Sequence, residues 1–145
     1  VQTCALPICR GYNIDSLTVS ITDDPSISRM TIVVSGDEQI TEQIVKQLNK
    51  LVDVIKILEL SPERSISREV ALIKVILDQS TRSFIIETVN IFKCNIVEMN
   101  AKSIIIEITG NEEKVSSLIE LMRPYGIKEV VRTGLAVLQR RSEIE

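Results

Sequence analysis

The sequence predicts an α+β fold made of two tandem βαββαβ units, the first of them incomplete. Two observations carry that prediction. One pattern (strand, strand, glycine, capping residue, amphipathic segment) occurs twice along the chain. The stretch Ser61-Pro62-Glu63-Arg64-Ser65, polar and turn-forming, lies between the copies. Composition agrees. At 145 residues, with 44% apolar and 26% charged side chains, the chain suits two units of about 70 residues each, with a core and a wetted surface.

In the first copy, Asn13-Ile14-Asp15-Ser16-Leu17 opens one strand, and Met30-Thr31-Ile32-Val33-Val34-Ser35-Gly36-Asp37 forms the next strand and its exit. Between them, Thr22-Asp23-Asp24-Pro25-Ser26-Ile27-Ser28 is turn chemistry and predicts a hairpin tip. The adjacent acids Asp23 and Asp24 lack the ligand spacing of a cation site and read as part of that solvated tip. Asp37 stands where a helix N-cap belongs. Ile40, Ile44, Val45, Leu48, Leu51 and Val52 then recur on one helical face. A strand is predicted after it, at Val54–Leu58.

The second copy repeats this order. Asn95-Ile96-Val97-Glu98-Met99 is followed, after a tight connection near Asn100–Ser103, by Ile104-Ile105-Ile106-Glu107-Ile108-Thr109-Gly110-Asn111. Asn111 is the predicted cap, Val115, Leu118, Ile119 and Met122 the helical face, and Pro124 the limit of the helix. A strand over Glu129–Arg132 closes the unit. Before Asn95 the copy also has a strand, Val70–Leu77, β-branched and apolar but for Lys74, a run that predicts burial on both faces. Phe84, Ile85, Thr88, Val89 and Phe92 then mark a helix. The whole is a ferredoxin-like βαββαβ unit. Gly36 and Gly110 read as strand-to-helix turns, not as a phosphate-binding loop.

Too few residues precede Asn13 for a matching strand and helix. Residues 1–9 show no helical stripe and contain Pro7 together with Cys4 and Cys9. The first copy is therefore expected to lack its first strand and most of its first helix, with residues 1–9 a foreign or non-family segment. The predicted organisation is 10–60 for the truncated first unit, 61–67 for the linker, 68–139 for the second unit and 140–145 for a frayed tail containing Arg140 and Arg141.

Several function classes are excluded or disfavoured. There is no His, so His-based triads and His-ligated metals are ruled out, and the commonest neutral-pH base is missing. Three cysteines, Cys4, Cys9 and Cys94, form no paired C-x-x-C units and read as reduced thiols of a reducing compartment. Cys94, ahead of a strand, is expected to be buried. The net charge of −3 offers no basic field for nucleic acid, and aromatics are only 3%. A base-stacking RNA module is therefore disfavoured. No apolar run spans a bilayer and no signal peptide is visible, so a cytoplasmic or plastid-stroma protein is the expectation.

Arg10-Gly11-Tyr12-Asn13-Ile14-Asp15-Ser16-Leu17-Thr18-Val19 resembles the signature of the small regulatory subunits of acetolactate synthase (acetohydroxyacid synthase). The resemblance continues through Thr22–Pro25, Ser28–Ile32, Gly36-Asp37, Lys46–Val54, Arg68-Glu69 and Arg132-Thr133-Gly134, in order, from about Arg10 to Gln139. It implies an N-terminal ACT domain and a C-terminal ACT-like domain. It implies no catalysis by this chain and no cofactor on it. The partner would be a large catalytic subunit carrying thiamine diphosphate, magnesium and FAD. That partner would be activated by the chain and made sensitive to branched-chain amino acids, valine foremost. The resemblance further implies a homodimer through the ACT domains, with the effector at the dimer interface. Asn13 alone would read as a turn residue opening a strand. The resemblance makes Asn13, with Ile14 beside it, the effector ligand, and a carboxamide that both donates and accepts suits a zwitterion. The effector loop after the family's first strand has no counterpart in this sequence. Gly11 reads as a helix C-cap. Arg29 and Arg132 read as surface charge, with contact to the large subunit as the alternative. A free-standing ACT-type amino-acid sensor is the competing function. No catalytic residue and no metal ligand is assigned.

Overall fold

The computed structural model describes residues 14–141. Residues 1–13, with Asn13, Gly11, Cys4 and Cys9 among them, lie outside the described part, as do residues 142–145. The chain divides into two units, Val1–Ser65 with Gln139–Glu145, and Ile66–Leu138.

In the first unit, β1 (Ile14–Ile21) and β2 (Ser28–Val34) form an antiparallel hairpin, from Ile21↔Ser28 at the tip to Ile14↔Val34 at the base. The tip is built by Asp and Ser turn chemistry. Asp24 Oδ1 accepts from the Ser26 amide at 3.0 Å and from Ser26 Oγ at 2.7 Å, and Thr22 Oγ1 donates to the Ile27 carbonyl at 3.0 Å. These bonds from Ser26, the side-chain one foremost, hold the Asp24 carboxyl below its ordinary pKa. The helix α1 (Glu38–Asn49) starts at Asp37, whose Oδ1 accepts from the Ile40 amide at 3.1 Å, and Ile44 is its buried residue. Gly36 packs closely on the first turn of the helix: a Cβ there would stand 2.8 Å from Ile40 Cδ1, and the Ile40 side chain would have to shift.

The strand predicted at 54–58 does not form. In a ferredoxin-like sheet the last strand hydrogen-bonds to the first, and the sheet of this unit consists, among the described residues, of β1 and β2 alone. An apolar run without a ladder partner has no reason to become a strand. Ile55 and Leu58 stay exposed.

The second unit comprises β3 (Ser65–Ile76), α2 (Arg82–Ile91), β4 (Asn95–Met99), β5 (Ser103–Gly110), α3 (Glu112–Met122), β6 (Ile127–Arg132) and β7 (Ala136–Gln139). The sheet order is β4-β5-β3-β6, all antiparallel, with β7 also on β3. This is the ferredoxin-like arrangement, in which two strand–helix–strand crossovers interleave. In register, Ala71↔Ile108, Ile73↔Ile106 and Val75↔Ile104 make one face. These six are buried in one cluster with Ile85 and Val89 of α2 and Val115, Leu118 and Met122 of α3. Both helices thus cover the same face.

The expectation that β3 is buried on both faces is therefore corrected. Its residues alternate, and Leu72, between buried neighbours Ala71 and Ile73, is 41% exposed. The run hides a period of two because the outward positions Val70, Leu72 and Ile76 are apolar as well, with Lys74 the outward position that is charged. Phe84, predicted on the core stripe of α2, lies half exposed against Tyr125, with ring centroids 5.4 Å apart. Asn111 caps α3 through its Oδ1, which accepts from the Lys114 amide at 2.9 Å. Arg140 is not frayed. Its amide donates to the Arg64 carbonyl at 2.9 Å and its Nε to the Ser65 carbonyl at 3.3 Å.

Candidate functional site

Of the two residues assigned to effector binding, Asn13 lies outside the described residues. Ile14 is the first residue of β1, half buried and opposite Val34. Directly after Ile14 the ladder breaks register. Ile14 faces Val34 and Ser16 already faces Val33, so Asp15 is an inserted residue, a β-bulge. The Asp15 carboxylate accepts a hydrogen bond from Ser35 Oγ, just past the end of β2. Farther along β1, Ser16 Oγ and Thr18 Oγ1 are buried without a hydrogen-bond partner among the described residues. The mouth of this hairpin is polar, pinned and irregular, whereas its middle runs in regular register from Leu17↔Ile32 to Ile21↔Ser28.

The second cluster of polar side chains lies in the other unit. Arg132, read from sequence as surface charge, ends β6 and forms an ion pair with Glu69 of β3. Its Nε donates to Glu69 Oε1 at 3.0 Å, and Nη1 reaches Ser116 Oγ of α3 at 3.4 Å. The next residue, Thr133, exchanges bonds with Val70. The Val70 amide donates to Thr133 Oγ1 at 3.1 Å and the Thr133 amide to the Val70 carbonyl at 3.0 Å. Gly134 follows with φ 84°, a left-handed conformation suited to glycine. Glu69-Val70 of β3 and Arg132-Thr133 at the end of β6, far apart in sequence, thus form a clasp between these two neighbouring strands. Sequence reasoning missed their pairing because nothing local couples them.

Cys94, ahead of β4, is half buried against the core, and burial pushes its thiol pKa up, with Lys114 opposing in part. Among the described residues, no group of three or more His, Cys, Asp or Glu side chains could hold a metal ion. No described helix is long and apolar enough to cross a membrane.

Comparisons with known proteins agree across both units. A family model described as the small subunit of acetolactate synthase matches residues 68–141. A second, for the ACT domain of acetohydroxyacid synthase small subunit-like proteins, matches residues 7–56. The probable acetolactate synthase small subunit of Archaeoglobus fulgidus is 51% identical over 131 residues, covering 90% of this chain and 82% of that protein. The acetolactate synthase small subunit of Mycobacterium bovis is 48% identical over 139 residues, covering 96% and 83%. Among solved structures, the acetolactate synthase small subunit of Thermotoga maritima superposes with a TM-score of 0.81 at 39% identity, over 92% of this chain and 84% of that one.

Proposed function

The chain belongs to the acetolactate synthase small-subunit family, and from that membership we propose that it is the regulatory partner of a thiamine-diphosphate-dependent catalytic subunit. The observation that carries this reading is that family likeness runs through both units in order, with relatives near 50% identical over nine-tenths of the chain. The chain docks on the large subunit, which holds thiamine diphosphate, magnesium and FAD, and raises its rate of acetolactate formation. It also confers feedback inhibition by branched-chain amino acids, valine first. The catalytic chemistry belongs to the partner.

The regulatory mechanism is linkage. First units of two copies pair through their ACT domains, and an amino acid bound at that interface favours one arrangement of the pair. An effector shifts the holoenzyme only by its differential affinity for two states, so tight binding to one arrangement is the requirement. Ile14, the first residue of β1, and Asn13, which precedes it in sequence, are the effector contacts on one side.

The test is acetolactate production by the purified cognate catalytic subunit, with and without the chain, across a range of valine concentrations. Activation that valine reverses is the expected result. Activation untouched by valine, leucine and isoleucine would remove the feedback role and leave the activating one. No activation at all, with amino-acid binding retained, would point to a free-standing sensor.

A further inference from the structure

We infer that Asp15 and Ser35 are a positioning pair for effector recognition. Their hydrogen bond pins the bulge at the mouth of β1, and so sets how Ile14, the neighbour of Asn13 in sequence, is presented. This rests on the effector reading above and adds two residues to it.

The internal repeat supplies the comparison. In the second unit the corresponding strand also breaks register two residues after its Asn. Ile96 faces Ile106 and Glu98 faces Ile105, which makes Val97 the inserted residue. Both edge strands therefore carry a bulge at the same place in the repeat, Asp15 after Asn13-Ile14 and Val97 after Asn95-Ile96. The side chains differ. Val97 is 56% exposed and carries no polar group to anchor it. Asp15 is held by Ser35 Oγ. The second unit thus shows that this fold makes the bulge without a polar latch.

The latch consequently answers a need particular to the first unit. An exposed hydrogen bond in water adds little to global stability. What it does is narrow the range of backbone geometries open to a bulge. Bulges commonly lie at sheet edges and beside binding sites, where they re-aim a side chain. A contact that recognises a small zwitterion through one or two groups is sensitive to such aim.

The experiment uses the holoenzyme reconstituted with wild-type chain, Ser35→Ala, Ser35→Thr and Asp15→Val, the last copying the second unit. Valine is the probe, with leucine and isoleucine alongside. Calorimetric Kd and the half-inhibitory concentration are read. The Ser35→Ala and Asp15→Val chains should require about three- to tenfold more valine, while Ser35→Thr, which keeps the hydroxyl, stays within about twofold of wild type. Unchanged valine affinity in Ser35→Ala and Asp15→Val overturns the inference while leaving the effector reading intact. Equal weakening in Ser35→Thr also overturns it, because the hydroxyl would then not be the agent. A variant that loses activation together with effector response counts against a positioning role. A wild-type chain that binds none of the three amino acids overturns the effector reading, and this inference with it.

Discussion

Arg132 at the end of β6 donates from Nε to Oε1 of Glu69 at 3.0 Å, and Glu69 is only 5% exposed. The two residues lie 63 positions apart in the chain, and Ser116 of α3 lies within reach of the same guanidinium. One side chain therefore ties two strands and a helix at a single corner of the second unit. A buried carboxylate is tolerable when a cation and hydrogen bonds meet it, and costly when they are removed.

Arg132→Ala should accordingly lower the unfolding free energy by about 2–4 kcal/mol, less than for a fully buried pair because the arginine is partly wetted. Glu69→Gln, which keeps an acceptor, should cost about half as much. Urea denaturation of both variants checks this, and an Arg132→Ala midpoint equal to wild type would show the clasp to be energetically idle.

Adjacent residues of β3 should respond very differently to truncation. Ile73 is fully buried between the sheet and both helices, and Ile73→Ala should cost about 3–4 kcal/mol. Leu72 points to the uncovered face, beside Val131, and Leu72→Ala should cost about 1 kcal/mol or less. Similar losses at the two sites would mean that the outer face is covered after all.

Thr18 buries its hydroxyl without a partner among the described residues. Thr18→Val keeps the shape and removes the desolvated group, so it should stabilise the hairpin by about 1 kcal/mol. Slower amide exchange in β1 and β2 is the observable. Faster exchange would mean that the hydroxyl has a partner after all.

Burial raises the Cys94 pKa above its ordinary 9.0. The folded state thus favours the neutral thiol. That contribution is complete below the unfolded pKa and is lost as pH rises through the higher folded one. In a Cys4→Ser, Cys9→Ser background, a thiol reagent at pH 8 should label folded protein at least about tenfold more slowly than urea-unfolded protein, because thiolate is the reactive form. Equal rates would refute the burial argument.

Much of this arrangement was legible locally. Period and turn residues located both hairpins, the three helices and the caps Asp37 and Asn111, because capping and turn bonds span only a few residues, whereas Val52, expected on the face of α1, lies beyond its end and is exposed, and Phe84 is half exposed. The tandem repeat established that the second unit is βαββαβ. Family motifs then pointed to Asn13 and Ile14, which no periodicity could have distinguished from ordinary strand-opening residues.

The remainder depended on partners distant in sequence. Residues 54–58 have strand composition and are no strand, since a ladder needs a neighbour. Residues 136–139 pair with β3 although their pattern alone marked nothing. Leu72 and Ile73 are equally apolar in sequence, and only the placement of both helices on one face made one a core residue and the other a surface residue. Asp15 became a bulge through its register against β2, and Arg132 became the partner of a buried carboxylate through its approach to Glu69. Sequence by itself determined the hairpin turns, the helices and their N-caps, because those interactions are short-range. Tertiary structure decided which faces are buried and which charges meet, because those follow from strand order and register, to which residues far apart in the chain contribute jointly.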